Sequence, residues 1–201
     1  MSVYFTSDTH FGHSNIIKYC QRPFLFDPGL DKDRLYDPRN LDVDHMDEIM
    51  IKNWNSVVQS HDTIYHLGDF AFYKDQRKTR NVIRRLNGNK ILIRGNHDKY
   101  LEPETLQMFN SVHSYYEFSV PDKDAGKQMI VLLHYSMNVW NRSHRGSWHL
   151  FGHSHGTLQD NPNSLSFDVG SDCHGFTPIS YEQVKKIMSK KTFKPIDHHG
   201  E

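Results

Sequence analysis

Five short segments of this chain carry side chains that bind divalent metal ions. They are Asp8-Thr9-His10, Gly68-Asp69, Gly95-Asn96-His97-Asp98, His134 and Gly152-His153-Ser154-His155. Carboxylates, amide oxygens and neutral imidazoles are the ligands that suit first-row divalent ions. The seven side chains that would complete two ion sites sharing one carboxylate are Asp8, His10, Asp69, Asn96, His134, His153 and His155. Two ions about 4 Å apart are an arrangement that acts on phosphate esters.

Each of these segments directly follows an apolar run that predicts a β-strand. The predicted strands cover residues 2–6, 63–67, 91–93, 128–133 and 147–151. In layered α/β proteins, ligands bind in the crevice at the carboxyl ends of the strands. We therefore expect the five segments to converge on one rim of the molecule.

The remaining pattern predicts helices around these strands. Apolar residues recur at steps of three and four from Val43 to Val57, which predicts an amphipathic helix capped by Asp42 or Asp44. Further helices are predicted over residues 15–19, 75–86 and 181–188. The second half is richer in β-structure, with further strands predicted over residues 115–120 and 164–169 and a hairpin loop over residues 121–127.

The length of 201 residues predicts a single domain over residues 1–201. Residues 24–42 are rich in Asp, Pro and Arg, which predicts a surface loop that is either functional or an insertion. Residues 192–201 are predicted to form a tail. We expect the loop at residues 24–42 to overhang the site and to influence the choice of substrate.

Charge and cysteine usage limit the partners and the compartment. Lys plus Arg and Asp plus Glu both number 24, which gives no support to a large basic nucleic-acid surface but leaves a nucleotide or a strand end as a substrate. Cys20 and Cys173 form no CxxC pair, which predicts free thiols in a reducing compartment. The chain shows no signal peptide and no apolar run of about 18 residues, so we expect a cytoplasmic protein with no membrane partner. The oligomeric state stays open.

The five segments, in this order and with these residue types, resemble the signature of the calcineurin-like metallophosphoesterase superfamily. The resemblance runs from position 8 to position 155. It implies an α/β fold, a four-layer α/β/β/α sandwich of two mixed β-sheets flanked by helices, with the site at the edge of the two sheets. It also implies two divalent metal ions as cofactors. Mixed oxygen and nitrogen ligands suit Mn, which we expect to serve in vitro, as well as Fe, Zn, Ni or Co.

The resemblance further implies a role for each metal ligand. The first ion would be held by Asp8, His10 and His155, and the second by Asn96, His134 and His153. Asp69 would bridge the two ions. A bridging carboxylate holds two dications close together despite their repulsion, and a water between them becomes a hydroxide that attacks phosphorus.

His97 and Asp98 are the predicted catalytic residues. His97 neighbours a metal ligand without being one, so it is placed to protonate the leaving alkoxide as a general acid. Asp98 is expected to orient the His97 imidazole. The residues predicted to line the phosphate pocket are His13, Asn15 and Arg22, and Arg22 would clamp a phosphate in a bidentate manner.

These features predict a binuclear metal-dependent phosphoesterase that acts on a small phosphate ester or a nucleotide. The short chain without a cap domain favours phosphodiesters, and a phosphomonoesterase or nucleotide phosphatase with the same site is the alternative. A non-catalytic interaction scaffold on the same fold is the alternative from another class, and the presence of all seven ligand types and His97 argues against it. A mononuclear metal-binding or storage protein is disfavoured by the bridging Asp69 and the Asn96 donor.

Overall fold

The computed structural model describes residues 1–124 and 126–196. Nine strands are present in that part of the chain: β1 Val3–Thr6, β2 Thr63–His66, β3 Asn89–Ile93, β4 Ser111–His113, β5 Tyr116–Asp122, β6 Gly126–Leu132, β7 Trp148–Phe151, β8 Ser166–Asp168 and β9 Ile179–Ser180. The α-helices there are α1 Ser14–Tyr19, α2 Lys32–Leu35, α3 Val43–Val57, α4 Gln76–Arg85, α5 Pro103–Leu106 and α6 Tyr181–Met188.

The strands form two mixed sheets. The first sheet has the order β4-β3-β2-β1-β9, in which β1 to β4 run parallel and β9 is antiparallel to β1. The second sheet has the order β5-β6-β7-β8, with an antiparallel β5-β6 pair and parallel β6-β7 and β7-β8 pairs. Because β1, β2 and β3 run parallel, as do β6 and β7, the loops that follow them leave each sheet at the same edge.

Two hydrophobic cores hold these layers together. The first lies under α3, whose Met46, Met50 and Trp54 are buried on one face against residues such as Ile64 and Leu92 of the first sheet. The spacing of these helix residues follows the 3.6-residue period of an α-helix, as predicted. The Asp42 side chain accepts a hydrogen bond from the backbone N–H of His45, so Asp42 is the cap.

The second core lies between the two sheets. Phe5, Leu67 and Ile93 of the first-sheet region pack in it together with residues of β6, β7 and α6. The Trp148 ring stacks on the Tyr181 ring of α6 with centroids 5.6 Å apart. Two mixed sheets with flanking helices confirm the predicted α/β class and its sandwich arrangement.

The structure differs from the sequence prediction in several short elements. Strands β4 and β9 were not predicted, because three or two residues carry too little pattern to indicate a strand. The predicted hairpin loop is shorter than expected, since Asp122 pairs with Gly126 as the last step of the β5-β6 ladder.

The segment at residues 24–42, predicted as a surface loop, contains short helical turns, and its status as an insertion stays a prediction. It contains α2 and a 3-10 turn over Pro38–Asn40, and Leu25 pairs with Leu41 in a short antiparallel bridge. The buried Asn40 side chain donates to the backbone oxygens of Asp27 and Leu35 and so closes the segment on itself.

The predicted tail is partly anchored. The backbone N–H groups of Thr192 and Lys194 donate to the carbonyls of Pro162 and Asn163, at 2.8 and 3.0 Å. Residues 197–201 of that predicted tail lie outside the described residues. Within the described chain, no helix is long and apolar enough to cross a membrane.

Candidate metal centre

The five predicted segments come together at the carboxyl ends of β1, β2, β3, β6 and β7. They bring their side chains into two groups, and within each group the ligand atoms lie within 4.8 Å of one another. The first group consists of Asp8, His10 and His155. The second group consists of Asp69, His134 and His153. The Oδ1 atom of Asn96 lies 3.1 Å from Nε2 of His134, so Asn96 joins the second group.

Asp69 lies between the two groups. Its Oδ2 atom is 3.7 Å from Nε2 of His10 in the first group and also 3.7 Å from Nε2 of His134 in the second. Its Oδ1 atom accepts a hydrogen bond from the backbone N–H of His97 at 2.9 Å. The carboxylate is therefore fixed with one oxygen facing both groups, which is the geometry of a bridging ligand.

The first group contains polar atoms that lack a hydrogen-bond partner. Oδ1 of Asp8 and Nε2 of His10 are buried with no partner in the described part of the chain, and they lie 4.0 Å apart. Leaving such atoms unsatisfied costs about 1–3 kcal/mol each, and more for a charged group. A cation between them removes that cost. The donor set, the bridging oxygen and these orphaned atoms together fit two divalent metal ions.

The backbone at the ligand positions has an unusual conformation. Positive φ angles occur at five of the seven predicted ligands, namely Asp8 (55°), His10 (51°), Asp69 (55°), His153 (67°) and His155 (48°). This left-handed region is uncommon for residues other than glycine, and such residues cluster at functional sites. The sharp turns explain how His153 and His155, two residues apart, reach different groups.

Glycines before the ligands allow the loops to approach one another. A Cβ atom on Gly95 would lie 2.2 Å from Oδ1 of Asp69, and one on Gly152 would lie 2.5 Å from Oδ2 of Asp8. Neither distance is compatible with a side chain. Gly95 and Gly152 are therefore required by the close packing of the ligand loops.

Outer hydrogen bonds fix the orientation of two ligand imidazoles. Nδ1 of His134 donates to the backbone oxygen of Leu67 at 2.7 Å, and Nδ1 of His155 donates to Oδ2 of Asp172 at 2.7 Å. These bonds leave the Nε2 atom of each ring facing its group. Such outer partners orient metal-binding histidines and raise their basicity.

Asp172 was not predicted from the sequence, although its side chain contacts the predicted ligand His155. It lies in a 3-10 turn after β8. The available signal was weak: Asp172 follows a strand, as the ligands do, but no motif marks it. Arg22 pairs with both oxygens of Asp172 at 2.8 Å and so holds the carboxylate against His155.

Arg22 does not have the predicted role of a phosphate clamp. Its side chain is 0% exposed, and its remaining N–H groups donate to the backbone oxygens of Thr9 and Asp8. With its donors occupied inside the protein, Arg22 supports the loop of the first group from behind and offers nothing to a substrate.

Asp98 also has a different role from the one predicted. Its carboxylate accepts hydrogen bonds from the backbone N–H groups of Asp69, Phe70 and Gly95 at 2.8, 2.9 and 2.8 Å. Burial raises the pKa of Asp98 to about 6. The side chain ties the loop after β2 to the loop after β3, and it is these backbone groups, and not the His97 ring, that it holds in place.

His97 lies at the mouth of the centre. Its side chain is 42% exposed, and its Nε2 atom lies 4.0 Å from Oδ2 of Asp69. The His97 ring packs against Phe72 with centroids 4.6 Å apart. This position, beside the bridging carboxylate and open to solvent, suits a group that exchanges protons with a bound substrate.

His13 and Asn15 differ in their distance from the ligands. Nδ1 of His13 lies 3.2 Å from Nδ1 of His10, and the His13 ring stacks on Phe72 at 4.1 Å. Burial, with a further contribution from His97, lowers the pKa of His13 to about 4. Asn15 is exposed on α1, and its contact with substrate stays a prediction.

Burial also sets the protonation of the metal-free centre. It raises the pKa of the Asp8 carboxyl to about 7, and it lowers the pKa of His10 well below the usual range. The hydrogen bond to Asp172 raises the pKa of His155 to about 10, although burial alone would lower it. In the first group, a metal ion therefore replaces protons.

The comparisons with known proteins agree with this geometry. The sequence profile of the calcineurin-like phosphoesterase family matches residues 1–157, so the chain belongs to that family. It is thus a metal-dependent phosphoesterase by family, and its described residues provide the ligand groups for divalent ions.

Similar proteins occur in archaea, phages and bacteria. The uncharacterized protein MJ1445 from Methanocaldococcus jannaschii is 32% identical over 194 residues, which covers 94% of this chain and 92% of that protein. The Gene 66 protein of Mycobacterium phage L5 is 36% identical over 101 residues, which covers 48% of this chain and 40% of that protein. The crystal structure of the Aquifex aeolicus protein AQ665 has a TM-score of 0.62 at 23% identity and covers 92% of this chain and 98% of that one, which shows a shared fold.

Proposed function

We propose that the protein is a binuclear phosphodiesterase that uses two divalent ions, with Mn²⁺ serving in vitro. The observation that carries this proposal is the position of Asp69 Oδ2, 3.7 Å from a histidine nitrogen of each ligand group. A single-ion site would not need a carboxylate oxygen shared between two complete sets of ligands.

When bound, the ions supply a deprotonated water at neutral pH and neutralise the charge that develops on the phosphate oxygens. The protein supplies the position of the substrate and the proton for the leaving group. His97 is exposed at the mouth and 4.0 Å from the bridging carboxylate oxygen, so a leaving oxygen on that side would meet the imidazole. Protonation by His97 then lets a poor alkoxide leave as an alcohol.

The charge at the mouth favours a diester over a monoester. A monoester carries a second negative charge on the phosphoryl group, and a protein cation beside the ions would help to neutralise it. Arg22 is turned into the protein and is used by Asp172, and the pKa of His13 is lowered to about 4, so that ring is neutral. A phosphodiester has one negative charge fewer and needs no such partner.

The experiment is a substrate panel on chelator-stripped protein before and after reconstitution with Mn²⁺. The panel compares bis-p-nitrophenyl phosphate, p-nitrophenyl phosphate, 2′,3′- and 3′,5′-cyclic nucleotides and single-stranded DNA. We expect Mn²⁺-dependent hydrolysis of the diesters above the monoester. Faster hydrolysis of the monoester would overturn the diester preference, and no hydrolysis by protein with two bound ions would overturn the proposed function.

A further inference from the structure

A cleft of about 460 Å³ opens beside the metal centre, and its role is not explained by the ligands. We call it the side cleft, and its lining includes His13, Phe72, Tyr73, Lys74 and Lys78. These residues come from the turn before α1, from the segment between β2 and α4, and, for Lys78, from the first turn of α4. The first two segments also carry metal ligands, so the side cleft and the centre share their supporting loops.

The inner end of the side cleft touches the metal centre. The Phe72 ring lies 4.7 Å from the ring of the ligand His10, 4.1 Å from that of His13 and 4.6 Å from that of His97. Nδ1 of His13 is 3.2 Å from Nδ1 of His10. A substrate whose phosphate lies at the metal centre would therefore extend along Phe72 into the side cleft.

The wall of the side cleft is held in a fixed position. The Tyr73 ring packs so closely on Gly12 that a Cβ atom there would lie 2.3 Å from the ring. The Tyr73 hydroxyl donates to the carboxylate of the buried Asp47, which also accepts the backbone N–H of Gly12 at 3.1 Å. The wall is therefore organised before any ligand arrives, which reduces the entropy lost on binding.

The outer end of the side cleft is positively charged. Lys74 and Lys78 are both exposed, and neither forms an ion pair within the described chain. Asp75 also lines the side cleft, but its carboxylate is already paired with Arg77 at 2.8 Å. The Nζ atom of Lys78 lies 5.8 Å from the centroid of the Tyr73 ring, which keeps this ammonium over the wall of the cleft.

We propose that the side cleft binds a second phosphate of the substrate, so that the preferred substrates are nucleotide phosphodiesters that carry a further phosphate. This inference rests on the proposed phosphodiesterase function. Two lysines beside one rigid wall suit a compact anion at a fixed distance from the scissile bond. Because the net charge of the whole chain is zero, such a substrate would be recognised locally, as a short strand end, and not through an extended basic surface.

The test uses two pairs of probes that differ only in the second phosphate. Binding of thymidine 5′-monophosphate and thymidine 3′,5′-bisphosphate to the Mn²⁺-loaded protein is measured by calorimetry, which requires no turnover. Hydrolysis of the p-nitrophenyl ester of thymidine 5′-monophosphate is compared with that of the same ester carrying a 3′-phosphate. Both esters release the same leaving group, so their difference reports the second phosphate.

We expect the second phosphate to improve Kd and kcat/KM by about tenfold at low salt, which two exposed ion pairs supply. The double variant Lys74→Gln/Lys78→Gln should lose this preference and should hydrolyse the simple ester as the parent does. The matched control is Lys52→Gln/Lys190→Gln, which removes two exposed charges, one from α3 and one from the turn after α6, and should keep the preference.

Two results would overturn the proposal. The first is equal binding of mono- and bisphosphate by the parent protein, and the second is an equal loss of preference in both double variants, which would indicate a general effect of charge. Failure of the proposed function is recognised separately, because it would abolish hydrolysis of both esters while leaving the binding comparison intact.

Discussion

The two ligand groups of the metal centre differ in burial and in the way that they are supported. In the first group, Asp8 and His10 are buried. His155 is held by a hydrogen bond to Asp172, whose carboxylate is in turn held by Arg22. In the second group, His153 is exposed, Asn96 is half-buried and the partner of His134 is a backbone oxygen. The comparison indicates that an ion in the first group would be more enclosed, while an ion in the second group would lie closer to solvent beside the exposed His153.

The largest effect is expected at the residue that both groups share. Asp69→Asn removes the charge between the two ions, so both should bind more weakly and diester hydrolysis should fall by more than about a hundredfold, beyond the range for the loss of an outer partner. Metal content by mass spectrometry and the rate on bis-p-nitrophenyl phosphate measure this. The control is Asp31→Asn, an exposed carboxylate that does not cap its helix. If the Asp69→Asn variant kept two bound ions and full activity, the proposed bridging role of Asp69 would be wrong.

The second prediction concerns the open side of the centre. His97→Ala should reduce turnover by roughly a hundredfold or more for alkyl leaving groups and much less for p-nitrophenol, because p-nitrophenol leaves without a proton. The measurement is the dependence of kcat on the leaving-group pKa. His61→Ala, which lies before β2 at the opposite end of that strand, is the control. An equal loss for every leaving group would argue for a binding role of His97.

The third prediction tests the brace behind the first group. Asp172→Asn should lower the affinity of the first group for its ion by about 10–100-fold while the second ion stays bound, because the His155 ring loses its anionic partner. Titration of the metal-free protein with Mn²⁺ measures both sites. Activity should return at high Mn²⁺ concentration. If it did not return, the variant would have damaged the fold, and thermal unfolding of the metal-free protein would detect this.

The smallest expected effect is a difference between the two groups in how their metal affinity depends on pH. In the metal-free protein His155 holds a proton throughout the range below pH 10, and below about pH 7 the Asp8 carboxyl holds one as well, so an ion at the first group must displace them. As the pH falls, the affinity should therefore decrease by about tenfold per pH unit above pH 7 and more steeply below it. The pKa of His134 in the second group is lowered by burial, which favours the neutral ring that binds a metal ion. Proton release on Mn²⁺ binding, measured from pH 8 to pH 6, should therefore belong to the first ion. Equal pH dependence of both ions would contradict the difference between the groups.

The sequence predicted which side chains lie together because two independent patterns coincided, and their role as metal ligands stays a prediction. Each ligand type follows a strand-like apolar run, and the carboxyl ends of parallel strands meet at one edge. The structure brings all seven together in two groups around Asp69, while the roles of the single residues in catalysis remain predictions.

The supporting residues were not predictable in the same way. Asp172 reaches His155 only through the tertiary structure, and Arg22 looks like a surface arginine until its burial is known. Asp98 follows His97 directly in sequence, but the backbone turns so that its carboxylate meets amides of another loop. Adjacency in sequence indicates contact only where the backbone conformation is known, and the left-handed turns of these loops carry no periodic signal.

The left-handed backbone of the ligand loops also limits which residues can ever occupy these positions. Asp, Asn and His are the residue types other than glycine that tolerate positive φ most readily, and they are also ligands for divalent ions. The backbone conformation and the ligand chemistry therefore favour the same few residue types. A substitution such as Asp8→Asn introduces no backbone strain, because Asn also tolerates a positive φ, but it removes a negative charge. A copy of this protein released from selection could thus lose its ions one ligand at a time and still fold, which is a route from an enzyme to a binding module.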